Sequence, residues 1–332
     1  MKTWLEIETL ADEAGFIPED IYDAHADRFS VCPPQHPAVR EIETQVWRTY
    51  LSTAKRRNKR SLMYQELFRY EWYEGRKRGG FWGNIEKALR SVEPGPAPIV
   101  SILSAGSGRD LIKVGLAAGI FDSTAPAKIR ETYREVDARY LRLAKPQARI
   151  MVTEFDDSNL ACLRQTVAGL IACGALTKEM IAVRKWDFRQ AAPLATGTQD
   201  MIVFSLTGNY ATIEEQPLIL REIARCLKPG GRLITSTMTD KIDFHKARSH
   251  LGKLRLMLTT PLGWPVAIDF IPWQIRWAKM AGKMHDNGYW RNVSAAVWMK
   301  FLEPAGMEKV IIYPGPSEFL PVEVLVARKK DK

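Results

Sequence analysis

From residue 99 onward, short apolar runs alternate with stretches in which apolar side chains recur every three or four positions. A short apolar run bounded by turn residues reads as a buried strand, and the longer recurrence reads as a helix. The pattern predicts strands over 99–104, 149–154, 180–184, 200–206, 231–237, 308–313 and 321–327. It predicts helices over 109–120, 125–143, 158–173, 214–227 and 293–304. Strand–helix alternation of this kind implies an α/β fold, a mostly parallel seven-stranded sheet with helices on both faces. The last two strands, "MEKVIIYPG" and "PVEVLVARK", are joined by a short loop and predict an antiparallel terminal hairpin.

Residues 1–92 read as mostly helical, with Val39, Ile42, Val46 and Tyr50 at helical spacing and Leu62, Leu67, Phe68 and Trp72 less regular. "CPPQHP" (32–37) interrupts them with an extended connector, and "VEPGPAP" (92–98) cannot continue a helix. The expected division is a helical N-terminal cap over 1–97 and one α/β domain over 98–332. Within that domain, residues 238–292 are too long for an ordinary connection and are rich in Trp, Met, His and basic side chains. They follow the C-terminal end of a strand, where open α/β sheets bind ligands, and so form a candidate lid.

Composition narrows the setting. The 332 residues carry a formal charge of +10, which permits contact with nucleic acid, anionic lipid or acidic substrates without requiring any of them. No run is long and apolar enough for a membrane span, and the acidic N-terminus lacks the pattern of a signal peptide. The four cysteines, Cys32, Cys162, Cys173 and Cys226, are far apart and fit buried thiols in the cytoplasm better than a metal site or disulfides.

Chemistry enters at "SAGSGRD" (104–110), a glycine turn between the first α/β strand and its helix. Such turns let backbone N–H groups approach a ligand at a helix start. A dinucleotide fingerprint would need glycine at position 111, which is Leu111, and no Gly-Lys-Ser/Thr follows for a phosphate loop. A strand ending in acids comes next, "MVTEFDDSN" (151–159), then "RKWDFRQ" (184–190) and "QDMIVFSLTGNY" (199–210). "EIARCLKPGGRLITST" (222–237) completes the series.

These five signals, in this order over roughly 98–328, resemble the class I S-adenosylmethionine (SAM)-dependent methyltransferases. The resemblance implies SAM as cofactor and S-adenosylhomocysteine (SAH) as product. It implies that Ser104, Ala105, Gly106 and Gly108 pass under the methionine and ribose, and that Asp156 accepts from the ribose hydroxyls, with Glu154 and Asp157 as rivals. Asp187 would accept from the adenine amino group with Phe188 against the ring, and the loop 205–210, beginning with Ser205 and Leu206, would border the methionine moiety and the transferred methyl. The family's acid two residues before the first glycine is missing, since Ile102 and Ser104 stand there; backbone carbonyls or Asp110 are left to hold the methionine amino group.

No motif names the methyl acceptor. The loop "SLTGNY" lacks the prolines of exocyclic-amine methylases, and no cysteine pair suggests C5-pyrimidine chemistry. His285 and Tyr210 are the candidate general bases, ahead of His245 and His250. The segment "PWQIRWAKMAGKMHD" reads as a lid helix in preference to a membrane-surface one. The basic runs "KRRNKR" (55–60) and "RKRGGFWGN" (76–84) keep RNA open as a partner. A small-molecule methyltransferase is expected; one acting on RNA or protein, and a SAM-binding protein without transfer, are the alternatives.

Overall fold

The computed structural model describes residues 2–34, 41, 81–106, 108–123, 141–239, 282, 285–286, 291–314 and 322–331. Their strands are β1 (Ile99–Leu103), β2 (Phe121–Ser123), β3 (Leu141–Leu143), β4 (Arg149–Glu154), β5 (Ile181–Lys185), β6 (Gln199–Ser205), β7 (Leu227–Met238), β8 (Met307–Tyr313) and β9 (Val322–Lys329). The helices are α1 (Trp4–Glu8), α2 (Glu19–Asp23), α3 (Phe81–Arg90), α4 (Arg109–Ala117), α5 (Asp157–Ala172), α6 (Gln216–Cys226) and α7 (Ala295–Leu302). The seven predicted sheet strands are all present, with ends moved by a few residues.

The main sheet runs β5-β4-β1-β6-β7-β9-β8. The first five strands are parallel, while β9 runs antiparallel to both β7 and β8, so the terminal hairpin is as expected. The chain starts the sheet at its centre, builds outward through β4 to β5, then crosses back to β6. The order therefore reverses between β1 and β6, and the C-terminal ends of those two strands flank the crevice where such sheets take ligands.

Period-two alternation divides the strands between two apolar cores. Ile150 and Val152 of β4 and Met201 and Val203 of β6 face one core, where α3, α4 and α5 contribute Leu89, Leu111 and Leu163. Met151, Ile202 and Phe204 face the other, with Ile223 of α6 and Trp298 of α7. Helix α3 thus belongs to the sheet's packing, with Ile85, Ala88 and Leu89 buried against it.

Residues 186–198, between β5 and β6, contain no helix. The N-terminal segment covers that part of the sheet instead. Ile7, Phe16, Ile17 and Tyr22 enter the second core beside Trp186, Leu194 and Ile202. Isolated bridges pair Phe16 with Leu194 and Ser30 with Gln190, and the Tyr22 hydroxyl donates to Ala191 O at 2.8 Å. Arg225 on α6 grips the segment from the far side, pairing with Glu8 and Glu222 and donating to Leu194 O. Helix in residues 2–34 comes in two five-residue pieces and one 3-10 turn, less than the spacing of apolar residues suggests.

One expected helix needs correcting. Residues 141–143, taken as the end of a 125–143 helix, are strand β3, paired antiparallel with β2 in the register Phe121↔Leu143. Leu141-Arg142-Leu143 has period-two alternation, but three residues are too few to stand out against a helical window. The rest of that span lies outside the described residues, as do the basic run 55–60, positions 76–80, His245, His250 and nearly all of the lid.

In β7, Leu227 pairs with Gln199 and Arg232 with Met201, so Lys228, Pro229, Gly230 and Gly231 bulge out opposite one residue, Asp200. Asp200 pairs with Lys228 and accepts from Ile99 N at 2.8 Å, locking the start of β1 to β6.

The N-terminal segment shares a core with the sheet, which fixes how it unfolds. Ile17→Ala should destabilise the protein by about 2–5 kcal/mol, the cost of a buried isoleucine truncation. Urea unfolding followed by circular dichroism should show one shifted cooperative transition and no separate early loss of a detached segment.

Candidate functional site

The site is assembled from the turns that follow β1, β4, β5 and β6. After β1, Ser104 takes a left-handed backbone (φ 57) and Gly106 follows at φ 58. Three hydrogen bonds sew this turn to the end of β4. Ser104 N donates to Thr153 Oγ1 at 3.0 Å, Ala105 N to Thr153 O at 2.7 Å, and Gly106 N to Glu154 Oε2 at 2.8 Å. Gly108, at φ 92, caps α4, and a Cβ there would stand 2.9 Å from Leu163 Cδ1, so both conformation and space require glycine. A Cβ on Gly106 would meet no atom of the described residues within 4 Å.

Glu154 ends β4 at 7% exposure. Its Oε1 accepts from Asp156 N at 3.0 Å while Oε2 holds Gly106, so one carboxylate spans two turns. Burial raises its pKa, with the Asp156 charge adding to the rise and the N–H groups of Asp156, Gly106 and Phe155 opposing it. The folded carboxyl therefore holds its proton more tightly than an unfolded one. Its contribution favours the fold in acid and is lost as pH rises through the raised value. Asp156 is the N-cap of α5, its Oδ1 accepting from Asn159 N at 2.9 Å. Asp157 points away to an exposed ion pair with Lys185 at 2.7 Å. Each carboxylate of this acidic trio thus has a distinct set of partners.

After β5, Asp187 Oδ1 accepts from Arg189 N at 2.9 Å, closing an Asx turn. Phe188 is buried, with the Arg189 guanidinium 4.7 Å from its ring centroid. After β6, Leu206 is the second non-glycine residue with a left-handed backbone (φ 55), pinned by its N–H to Ser236 Oγ at 3.0 Å. Ser205 Oγ and Ser236 Oγ lie 2.9 Å apart. Left-handed side-chain-bearing residues cost about 1–2 kcal/mol each, and here they close the two strands that flank the crevice. Asp110 is buried in the first turn of α4, directly beyond Gly108.

Asn209, fully buried, joins the β6 loop to both ends of the 238–292 segment. Its Nδ2 donates to Thr237 Oγ1 at 3.2 Å and Arg291 O at 3.3 Å, and its Oδ1 accepts from Met238 N at 3.3 Å. Tyr210 follows at the end of this 3-10 turn, part-exposed. His285 stands half-exposed, its Nδ1 3.7 Å from Asp286, and reaches the loop through Arg291, which donates to His285 O. Arg189, Glu215, Ser236 and Asn209 are the polar residues of this site that sequence reasoning did not single out as site residues. A lone arginine or serine inside a strand-end pattern carries no spacing signal of its own.

Residues 137–235 match a protein family described as "Methyltransferase domain". That span is therefore similar to a methyltransferase domain. A methyltransferase domain of this family implies SAM as the cofactor. A search of curated proteins finds no significant match. Among solved structures, the chain is similar to a possible exported protein from Bordetella parapertussis, at 17% identity over 75% of this chain and 67% of that one, with a TM-score of 0.43. It is also similar to an O-methyltransferase family protein from Burkholderia thailandensis (14% identity, 74% and 55% covered, TM-score 0.41). A SAM-dependent methyltransferase from Aquifex aeolicus stands at 15% identity, with 74% and 88% covered and a TM-score of 0.42. The methyltransferase spans just over half the length of the Burkholderia protein. No helix among its described residues is long and apolar enough to cross a membrane.

The residues present suit the cofactor. A ribose diol and an adenine amine ask for acceptors and an apolar face; Glu154 bonds the Gly106 turn, and Asp187 and Phe188 follow the C-terminal end of β5.

Cys32 runs beside this site, its N–H and that of Val31 both donating to Arg189 O. Burial pushes its thiol up to about 12, Glu215 and Asp187 adding to the rise and Arg189 opposing it. Burial does the same to Cys226, also to about 12. A thiol at that value is ionised in roughly one molecule in ten thousand at pH 8. Iodoacetamide at pH 8 should therefore leave Cys32 and Cys226 unlabelled in the native methyltransferase and label both in urea, as read by peptide mass spectrometry.

Proposed function

We propose that this enzyme methylates a small molecule bound beyond the C-terminal ends of β1 and β6. The observation that carries the reading is the convergence of the two strained strand ends, Ser104 and Leu206, with the Gly106 turn and a buried acid bonded to it. Strain of this kind persists where the surrounding structure holds it for function.

In this reading Asp187 and Phe188 take the adenine, and Glu154 accepts from the ribose hydroxyls. Glu154 is favoured over Asp156 because its carboxylate is bonded directly to the Gly106 turn, whereas Asp156 caps α5. Each Glu154 oxygen uses one lone pair on a backbone N–H and retains another for a hydroxyl. The turn of Ser104, Ala105, Gly106 and Gly108 passes under the methionine portion, with Asp110 near its amino group. When bound, SAM supplies an electrophilic methyl group on a sulfonium. Ser205, Leu206 and Tyr210 then line the methyl-facing side, where the chain's task is to place the acceptor in line and exclude water. The Tyr210 hydroxyl is the favoured proton acceptor, and His285 is the second candidate. Asn209 supports the small-molecule reading, because it fixes both ends of the aromatic-rich insertion beside this loop.

Incubation with methyl-labelled SAM and a size-fractionated host extract tests the acceptor. Label in the small-molecule fraction supports the proposal. Label in RNA or protein transfers the role of binding surface to the basic runs at 55–60 and 76–78, and bound SAM without transfer makes the protein a cofactor sensor. Glu154 has its own test, using SAH affinity by calorimetry. Glu154→Gln should weaken SAH by about tenfold or more, since an amide N–H then faces a backbone N–H and one ribose bond is lost. In the unmodified enzyme, affinity should fall as pH drops through the raised Glu154 value, and the substitution should flatten that dependence.

A further inference from the structure

We infer that Arg189 is a positioning residue that couples the cofactor's adenosine to the methyl-facing loop. The guanidinium reaches three elements at once. Nε pairs with Glu215 Oε1 at 3.0 Å, Nη2 lies 3.4 Å from Tyr210 O, and the group sits 4.7 Å from the Phe188 ring centroid. Its backbone belongs to the Asp187 turn and accepts from Val31 and Cys32 of the N-terminal segment at 2.8 and 3.2 Å.

Glu215 is a firm anchor for this contact. Its Oε2 accepts from Thr212 N at 2.8 Å and its own N–H donates to Thr212 Oγ1 at 3.3 Å, a reciprocal pair of the capping-box kind at the start of α6. Both side chains of the Arg189–Glu215 pair are largely buried, at 16% and 5% exposure. A planar guanidinium can meet a carboxylate, a carbonyl and a ring face simultaneously, whereas an ammonium is a single point charge. Any shift of Phe188 against a ligand is therefore felt at Tyr210, on the side where the methyl group leaves. Glu215, far along the chain from the adenine turn, becomes a determinant of cofactor affinity through Arg189 alone.

The inference rests on adenosine lying at Asp187 and Phe188, and the experiment separates the two. SAH affinity is measured by calorimetry on the full chain for Arg189→Met, Arg189→Lys, Glu215→Gln, the Arg189→Met/Glu215→Gln double variant and Asp187→Asn. Circular dichroism establishes that each is folded at the assay temperature. Arg189→Met should weaken SAH by about tenfold, the size of one charge-assisted hydrogen bond lost. Glu215→Gln should act in the same direction but less, Arg189→Lys should recover part of the loss, and the double variant should be no weaker than Arg189→Met. A purely structural role would lower the melting temperature and leave affinity below it unchanged. Folded Arg189→Met and Glu215→Gln variants that bind SAH within about twofold of the parent overturn the coupling. Should Arg189→Met fail to fold, Glu215→Gln decides alone. If Asp187→Asn weakens SAH while the Arg189 and Glu215 variants do not, only the coupling falls; if Asp187→Asn also changes nothing, the adenosine placement falls and the coupling with it.

Discussion

The Glu154 carboxylate is the constraint on which the site depends. It lies buried at the end of β4, receives Gly106 N–H on one oxygen and Asp156 N–H on the other, and so fixes two turns from neighbouring strands at one spacing. A buried carboxylate without donors would be a heavy cost, and its two N–H partners make the position tolerable. The same two bonds orient the glycine turn and the N-cap of α5. Any ligand lying across β1 and β4 meets a surface already set by this one group.

Rigidity on either side of the crevice is distributed differently. On the β1 side it comes from strand-to-strand bonds, since Ser104 and Ala105 both donate to Thr153. On the β6 side it comes from Ser236 of β7, which holds Leu206 through both its side chain and its carbonyl. In each case a left-handed residue is kept in place by the next strand of the sheet, so strain at the ligand face is balanced by the stable interior. Asn209 extends the arrangement outward by holding the roots of the long insertion to the same loop.

Much of this was legible in the residues. Apolar runs with flanking glycine and proline located all seven strands of the main sheet; β1, β4, β6 and β9, largely buried, leave the strongest local trace, while β5 and β8 are more exposed. The glycine turn and the acidic strand end were legible for the same reason. What escaped was decided by contacts distant in sequence. Nothing local tells which of Glu154 and Asp156 bonds the glycine turn and which caps α5, because that is settled by contacts made in the folded sheet. Arg189 and Glu215 are separated by residues with no shared pattern, and their pairing exists only once the turn after β5 and the loop after β6 have been brought together by the folded sheet. The three-residue strand β3 was read as helix because its alternation is too brief to outweigh its surroundings.

The helix-free crossing from β5 to β6 has a consequence for how the chain acquires its structure. The cover for that face comes from residues synthesised well before it, and Glu8 meets Arg225 across 217 positions of sequence. Contacts of such separation raise the contact order and slow folding. On the ribosome, the apolar side chains of Ile7, Phe16, Ile17 and Tyr22 emerge long before the strands that bury them. They have no local partner sheet to join and stay exposed until β6 and α6 have been made. The segment that completes this face of the fold thus keeps its apolar side chains uncovered until late in synthesis.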